Sequence, residues 1–273
     1  MTLADILHAE AIGSDTWRAW TPPDSGRSDI FGGQVAGQAL RAAALTVATD
    51  HLPNSVHCYF LRRGQAELPI DISVERVRGG RTYSSRRIDV RQEGRTIFAM
   101  LASFHVEEPG REFDHPMPAA VPDPDTIPAT PWRVAWEPPL DMRTVPTEAP
   151  GIQWWCRVAD PFPEDPALHF CALLYASDLR AGGAAMAAVG FLTAMDPDPE
   201  VEDRSVLAGN FGSLDHALWF HRTPAVNEWF FCDVRPLTVR DSRGLVLGRM
   251  FDRDARHIAT FAQEMFLKEA PTP

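Results

Sequence analysis

The sequence predicts an α+β protein built from two tandem copies of one unit, each an antiparallel sheet wrapped around a central helix, with the two sheets joined. Three observations carry that expectation. Prolines crowd the middle of the chain, the text on either side of them repeats, and each half places one apolar helix ahead of a run of alternating strands.

At 273 residues the chain suits two domains of ordinary size, each with its own core. Nearly half of its 24 prolines lie between Pro109 and Pro150, in text such as Pro122-Asp123-Pro124-Asp125 that neither a helix interior nor a central strand accommodates. This segment, 109–150, reads as a linker between an N-terminal unit, 1–108, and a C-terminal unit, 151–273.

The two units match in several places. Arg81 to Arg91 set against Arg243 to Arg253 pairs arginine with arginine, and Gly94-Arg95-Thr96-Ile97 falls on Ala255-Arg256-His257-Ile258. Upstream, His57-Cys58-Tyr59-Phe60-Leu61-Arg62 resembles the text from His216 to Arg222, which sets His57 opposite His216. Extended segments follow at Ile70 to Val77 and Trp229 to Val234, with turn signals at Gly79-Gly80, Glu93-Gly94 and Asp254-Ala255, the pattern of an antiparallel meander.

Ahead of the strands, Gly33 to Val47 is almost wholly small and apolar, so the helix it forms must be buried on most sides. Its counterpart spans about Pro166 to Ser177, with Pro166 suited to a first helical turn and Asp165 placed as N-cap. One helix wrapped by an antiparallel sheet is the hotdog arrangement, here in two tandem copies.

Composition narrows the function classes. A formal net charge of -11 argues against nucleic acid as a partner, since phosphate neutralisation needs a clustered excess of Lys and Arg. No apolar run reaches the roughly 18 residues of a membrane span, and Met1 to Asp5 lacks the features of a signal peptide, so a cytoplasmic protein without membrane insertion is expected. Cys58, Cys156, Cys171 and Cys232 are widely spaced and read as buried free thiols, with no metal or redox motif.

Four motifs in order, Phe31-Gly32-Gly33-Gln34-Val35, Tyr175-Ala176-Ser177-Asp178, Ser213 to Arg222 and Gln263-Glu264, resemble the type II acyl-CoA thioesterase family over nearly the whole chain. The resemblance implies a double hotdog fold, hydrolysis of fatty acyl-CoA and self-association into a homo-oligomer; that chemistry requires no cofactor, and the cysteine and histidine spacing demands none. It also implies that an Asp, a Ser or Thr, and a Gln hold the nucleophilic water. The motifs place these on Asp178, Ser213 and Gln263.

The residues suit that chemistry. A carboxylate with a reference pKa of about 3.9 is a weak base unless burial raises it, and the end of an apolar helix is a setting for that. Ser213 and Gln263 both donate and accept hydrogen bonds, so they can orient a water. Gln263 falls opposite Ala102 of the first half; a glutamine at an apolar strand position costs desolvation unless its amide is used, whether by substrate water or by backbone. Gly32 and Gly33 open the first helix, where exposed N–H groups could bind an oxyanion; the alternative is close packing of helix on sheet.

Arg62, Arg63, Arg81 and Arg222 are candidates for the phosphates of coenzyme A, against a solvated strand face as the alternative. Trp154, Trp155, Met186 and Phe191 are candidate walls of the acyl pocket. His216 reads as a structural histidine, because His57 stands in its place in the first half without an acid before it. Two other functions compete with hydrolysis: an acyl-thioester hydratase or dehydratase, which would need a catalytic histidine, and a binding module that turns over nothing.

Overall fold

The structure is a computed structural model that describes residues 1–23, 26–130, 138–147, 150–190 and 210–268. The elements run α1 (Leu3–Ile6), β1 (Glu10–Gly13), β2 (Thr16–Ala19), α2 (Gly32–Ala44), β3 (Leu52–Phe60), β4 (Ile70–Gly79), β5 (Tyr83–Gln92) and β6 (Arg95–His105). The second half follows with β7 (Leu140–Val145), β8 (Ile152–Val158), α3 (Pro166–Ser177), α4 (Ala181–Ala188), β9 (Asn210–Phe220), β10 (Phe230–Arg240), β11 (Arg243–Asp252) and β12 (His257–Lys268).

All twelve described strands form one antiparallel sheet in the order β1-β2-β4-β5-β6-β3-β9-β12-β11-β10-β8-β7. Each half is a hotdog, a sheet curled around one buried helix. The halves meet where β3 pairs with β9, from Ser55 opposite Trp219 to Tyr59 opposite Asp215. The helices meet as well, antiparallel: a Cβ on Gly33 would lie 2.5 Å from the Tyr175 carbonyl oxygen, and one on Gly37 would lie 3.1 Å from that of Cys171. Two glycines a helical turn apart thus let one backbone rest on the other.

α3 has the predicted bounds, and the Asp165 side chain accepts from the Ala167 N–H as N-cap. α2 is buried nearly all round, as its composition requires, but it stops at Ala44 rather than Val47. The reason is Arg86, whose buried guanidinium donates to the Thr46 hydroxyl at 2.6 Å and the Thr46 carbonyl at 2.9 Å, closing the end of the helix with a cation where the dipole favours one. At the expected Glu93-Gly94 turn both residues take positive φ, 48° and 77°, the backbone of a tight hairpin. The β10–β11 hairpin turns through Asp241 and Ser242 at φ 51° and 55°, with no glycine to announce it.

The internal repeat is real, but two of its alignments shift. Leu61 and Arg62 donate to Ile97 O as His221 and Arg222 donate to Ile258 O, so Arg62 and Arg222 are equivalent. Counting back from them, the partner of His216 is Val56, which faces Ala102 as His216 faces Gln263. His57 lies one residue off and is exposed on the opposite face, so the sequence pairing of His57 with His216 is corrected. The arginine match slips by two: Tyr83 and Arg243 take equivalent places, opposite His105 and Phe266.

The four cysteines are buried and free. Within the expected linker, Leu140–Val145 forms the edge strand β7. Met117, Val121 and Ile127 pack on an aromatic cluster of Trp155, Trp229, Phe231 and Phe251 on the outer face of the second sheet, and Trp155 Nε1 donates to Pro122 O at 2.9 Å. On the same face, buried Asp233 accepts from Arg235 and Arg249, each at 2.7 Å. Among the described residues no helix is long and apolar enough to cross a membrane, and no cluster of His, Cys, Asp and Glu could hold a metal.

Candidate active site

Asp178 terminates α3 as its C-cap and is half-buried. Its Oδ1 accepts from Gln263 Nε2 at 2.7 Å and from the Ser213 hydroxyl at 3.3 Å, while the second amide hydrogen of Gln263 reaches Ser213 Oγ at 2.7 Å. The three residues that the motifs singled out, 85 residues apart at the extremes, therefore form one hydrogen-bonded triangle.

A β-bulge brings Ser213 into it. Asp215 pairs with Glu264 and Ser213 with Met265, leaving Leu214 as an extra residue in β9. Strict alternation would put Ser213 and His216 on opposite faces; the extra residue turns both inward. The same bulge recurs at Asn54 in β3, between Pro53 and Ser55.

Opposite Asp178 stands the N-terminus of α2. A Cβ on Gly32 would lie 2.7 Å from Asp178 Oδ2 and 2.9 Å from the Phe60 ring, so any larger residue would fill the space in front of the carboxylate. The structure separates the two glycines. Gly32 faces the acid, whereas Gly33 is needed for the contact of α2 with α3, a helix-on-helix contact rather than the helix-on-sheet packing considered from the sequence. The first N–H groups of α2 have no acceptor inside the helix and lie at its positive end.

Behind the triangle lies a deeper layer built on the histidine that the sequence reads as structural, and its partners were not foreseen. His216, 1% exposed, puts Nδ1 2.7 Å from Gln263 Oε1 and Nε2 2.9 Å from Ser177 Oγ, with the Phe261 ring stacked 5.3 Å away. Burial pushes its pKa below the ordinary value, against the pull of the Asp178 charge. The signal was in the sequence, since Ser177 and His216 both sit within the recognised motifs, but the slipped repeat disguised it.

The arginines divide by place. Exposed Arg62 and Arg63 follow Phe60 at the Gly32 end, with Arg63 donating to Asp29 at 3.1 Å. Arg81 sits in the hairpin after β4, beyond Gly80, whose carbonyl meets His51 at the other end of β3, about 25 Å along the strand. Arg222 follows β9, far from Ser213, and donates to Asp114 and Glu112, each at 2.9 Å. Of the candidate pocket walls, Trp154 is wholly buried and Met186 is buried on α4, where Gly182 leaves room beside Met265. Trp155 belongs to the outer cluster under the linker, which corrects its assignment to a pocket wall. Phe191 lies outside the described residues.

The family models and the similar relatives agree on one family. Residues 21–105 match the model of the acyl-CoA thioesterase N-terminal domain, and residues 111–267 match that of the acyl-CoA thioesterase C-terminal domain. Acyl-coenzyme A thioesterase 8 of Mus musculus is 30% identical, with 98% of this chain and 89% of that protein covered. Acyl-CoA thioesterase 2 of Haemophilus influenzae is also 30% identical, over 97% of this chain and 96% of that protein. The crystal structure of an acyl-CoA thioesterase II, TesB2, from Mycobacterium marinum superposes with a TM-score of 0.81 at 33% identity, covering 98% of each chain. With both halves matched, each by the corresponding family model and in the expected order, the chain belongs to the acyl-CoA thioesterase family.

Proposed function

We propose that this chain hydrolyses fatty acyl-CoA to the free acid and coenzyme A, with Asp178 activating a water that Ser213 and Gln263 help to hold. The observation that carries the proposal is the division of the Asp178 carboxylate: Oδ1 is taken up by Gln263 and Ser213, and Oδ2 is turned to the glycine at the open end of α2. A water on Oδ2 gives up its proton to the carboxylate as its oxygen attacks the thioester carbonyl carbon. The N–H groups of Gly32 and Gly33 take the oxyanion, and its collapse expels the coenzyme A thiolate. Preformed geometry supports this reading: Gln263 and Ser213 fix the carboxylate through Oδ1, and a water held on the Oδ2 of a fixed carboxylate reacts as a positioned neighbour.

Arg62 and Arg63, at the mouth of the site, are the arginines we assign to the coenzyme A phosphates. Arg222 is committed to two carboxylates and Arg81 is distant. A cytoplasmic homo-oligomer completes the reading, with exposed Tyr59, Leu101 and Trp219 on the outer face of the central strands as support for self-association. Sedimentation of the purified chain checks it: a monomer at micromolar concentration would remove self-association.

The test of the activity is thiol release from short, medium and long acyl-CoAs by wild type and Asp178→Asn, with binding of a non-hydrolysable acyl-CoA measured alongside. Turnover that falls at least about a hundredfold in the variant, at unchanged binding, is the expected result. Saturable binding without turnover by wild type would leave a binding module instead.

A further inference from the structure

We infer that His216 is a positioning residue for the hydrolysis, holding the Gln263 amide in the one orientation that serves Asp178 and Ser213; this rests on the reading of the site given above. A primary amide is nearly symmetric in shape, with an acceptor and a donor at its two ends. Turned over, Gln263 would set its oxygen 2.7 Å from a carboxylate oxygen and from the Ser213 hydroxyl, and the triangle that orients water would break.

The lock lies behind the amide. Oε1 only accepts, so the contact at 2.7 Å requires the proton of His216 on Nδ1, which fixes the tautomer. In that tautomer Nε2 accepts, so the one hydrogen of the Ser177 hydroxyl, within 2.9 Å of Nε2 and 2.8 Å of the Leu174 carbonyl, turns to the ring and holds its other edge. The Cys58 thiol donates to the His216 carbonyl at 3.1 Å, tying the strand to the first half.

An internal control separates this role from simple packing. At the equivalent place in the first half the pair is Val56 opposite Ala102, both fully buried, and Ala43 stands where Ser177 stands on the other helix. The fold therefore builds the same register without a polar atom. Polar groups buried where the architecture does not need them are costly unless they are used.

The experiment compares wild type, His216→Phe, His216→Asn and Asp178→Asn by steady-state acyl-CoA hydrolysis and thermal melting. His216→Phe is expected to lower kcat about thirtyfold with KM within about twofold, the pattern of an interaction felt in the transition state. His216→Asn, which restores an N–H close to the Nδ1 position, is expected to recover most of that loss. Ser177→Ala keeps the ring and removes its tether; it serves as the second probe if His216→Phe does not fold, with a smaller fall in kcat expected. Wild-type kcat in His216→Phe, or in Ser177→Ala where that probe replaces it, overturns the inference. So does an equal loss in the Phe and Asn variants that tracks their melting temperatures. Full activity in Asp178→Asn brings down the underlying reading of the site, whereas an inactive Asp178→Asn beside an active His216→Phe brings down the role of His216 alone.

Discussion

The paired helices create two ends that are related by the internal repeat and opposite in chemistry. At one end, the glycine-opened start of α2 faces Asp178, with Ser213 and Gln263 beside it. At the other, the start of α3 is closed by its own Asp165 cap, which Arg41 on the last turn of α2 pairs at 2.6 Å. There the places of Asp178, Ser213 and Gln263 fall to Ala44, Pro53 and Ala102, and Arg86 seals the helix end. One scaffold thus offers two helix termini of suitable polarity, and side chains decide that only one is open and basic. A helix dipole by itself does not make a site; the candidate end adds to it an uncapped N-terminus with an acid in front.

Substitutions break or sharpen that contrast to different degrees. Making the working end resemble the silent one should have the largest effect: Gln263→Ala is expected to lower kcat about a hundredfold, as loss of one preorganised donor does in other hydrolytic sites, and thiol-release kinetics would read it. The reverse change, Ala102→Gln, should give no second activity and should cost about 2 kcal/mol of stability, since the new amide enters a dry, filled place without partners. Chemical denaturation measures this, and a neutral result would mean that the silent end hides polar groups able to satisfy an amide.

The smallest expected effect is in pH dependence. Burial, with the neighbouring His221 charge adding to it, holds the His257 pKa down at about 4, so the unfolded chain binds more protons than the folded one between that value and the ordinary 6.5. Stability contributed by the neutral ring is full above about pH 6.5 and declines as pH falls towards about 4. A His257→Phe variant should show a flatter acid limb in melts across that window, and an unchanged limb would argue against it.

Much of this was legible in the sequence, for physical reasons that differ by element. Asp165 and Pro166 are local signals, and α3 begins where they say. The hydrogen-bonded triangle of Asp178, Ser213 and Gln263 was readable because its residues lie in motifs. The end of α2 was not, because the group that stops it, Arg86, comes from a strand 40 residues away. The place of His216 was misread because strand faces alternate: a pairing wrong by one residue turns a buried ring into an exposed one. Trp155 was misjudged for a similar reason, since its side of β8 is decided by what the linker covers.

The pairing of β3 with β9 has a bearing on behaviour at low concentration. Gly32 comes from one half and Asp178 from the other, so if the halves were separate chains the site would exist only in the associated fraction and would be lost on dilution. Joined in one polypeptide and one sheet, the two faces of the site remain together however scarce the protein is, and each half is free to keep a different sequence at the same structural address.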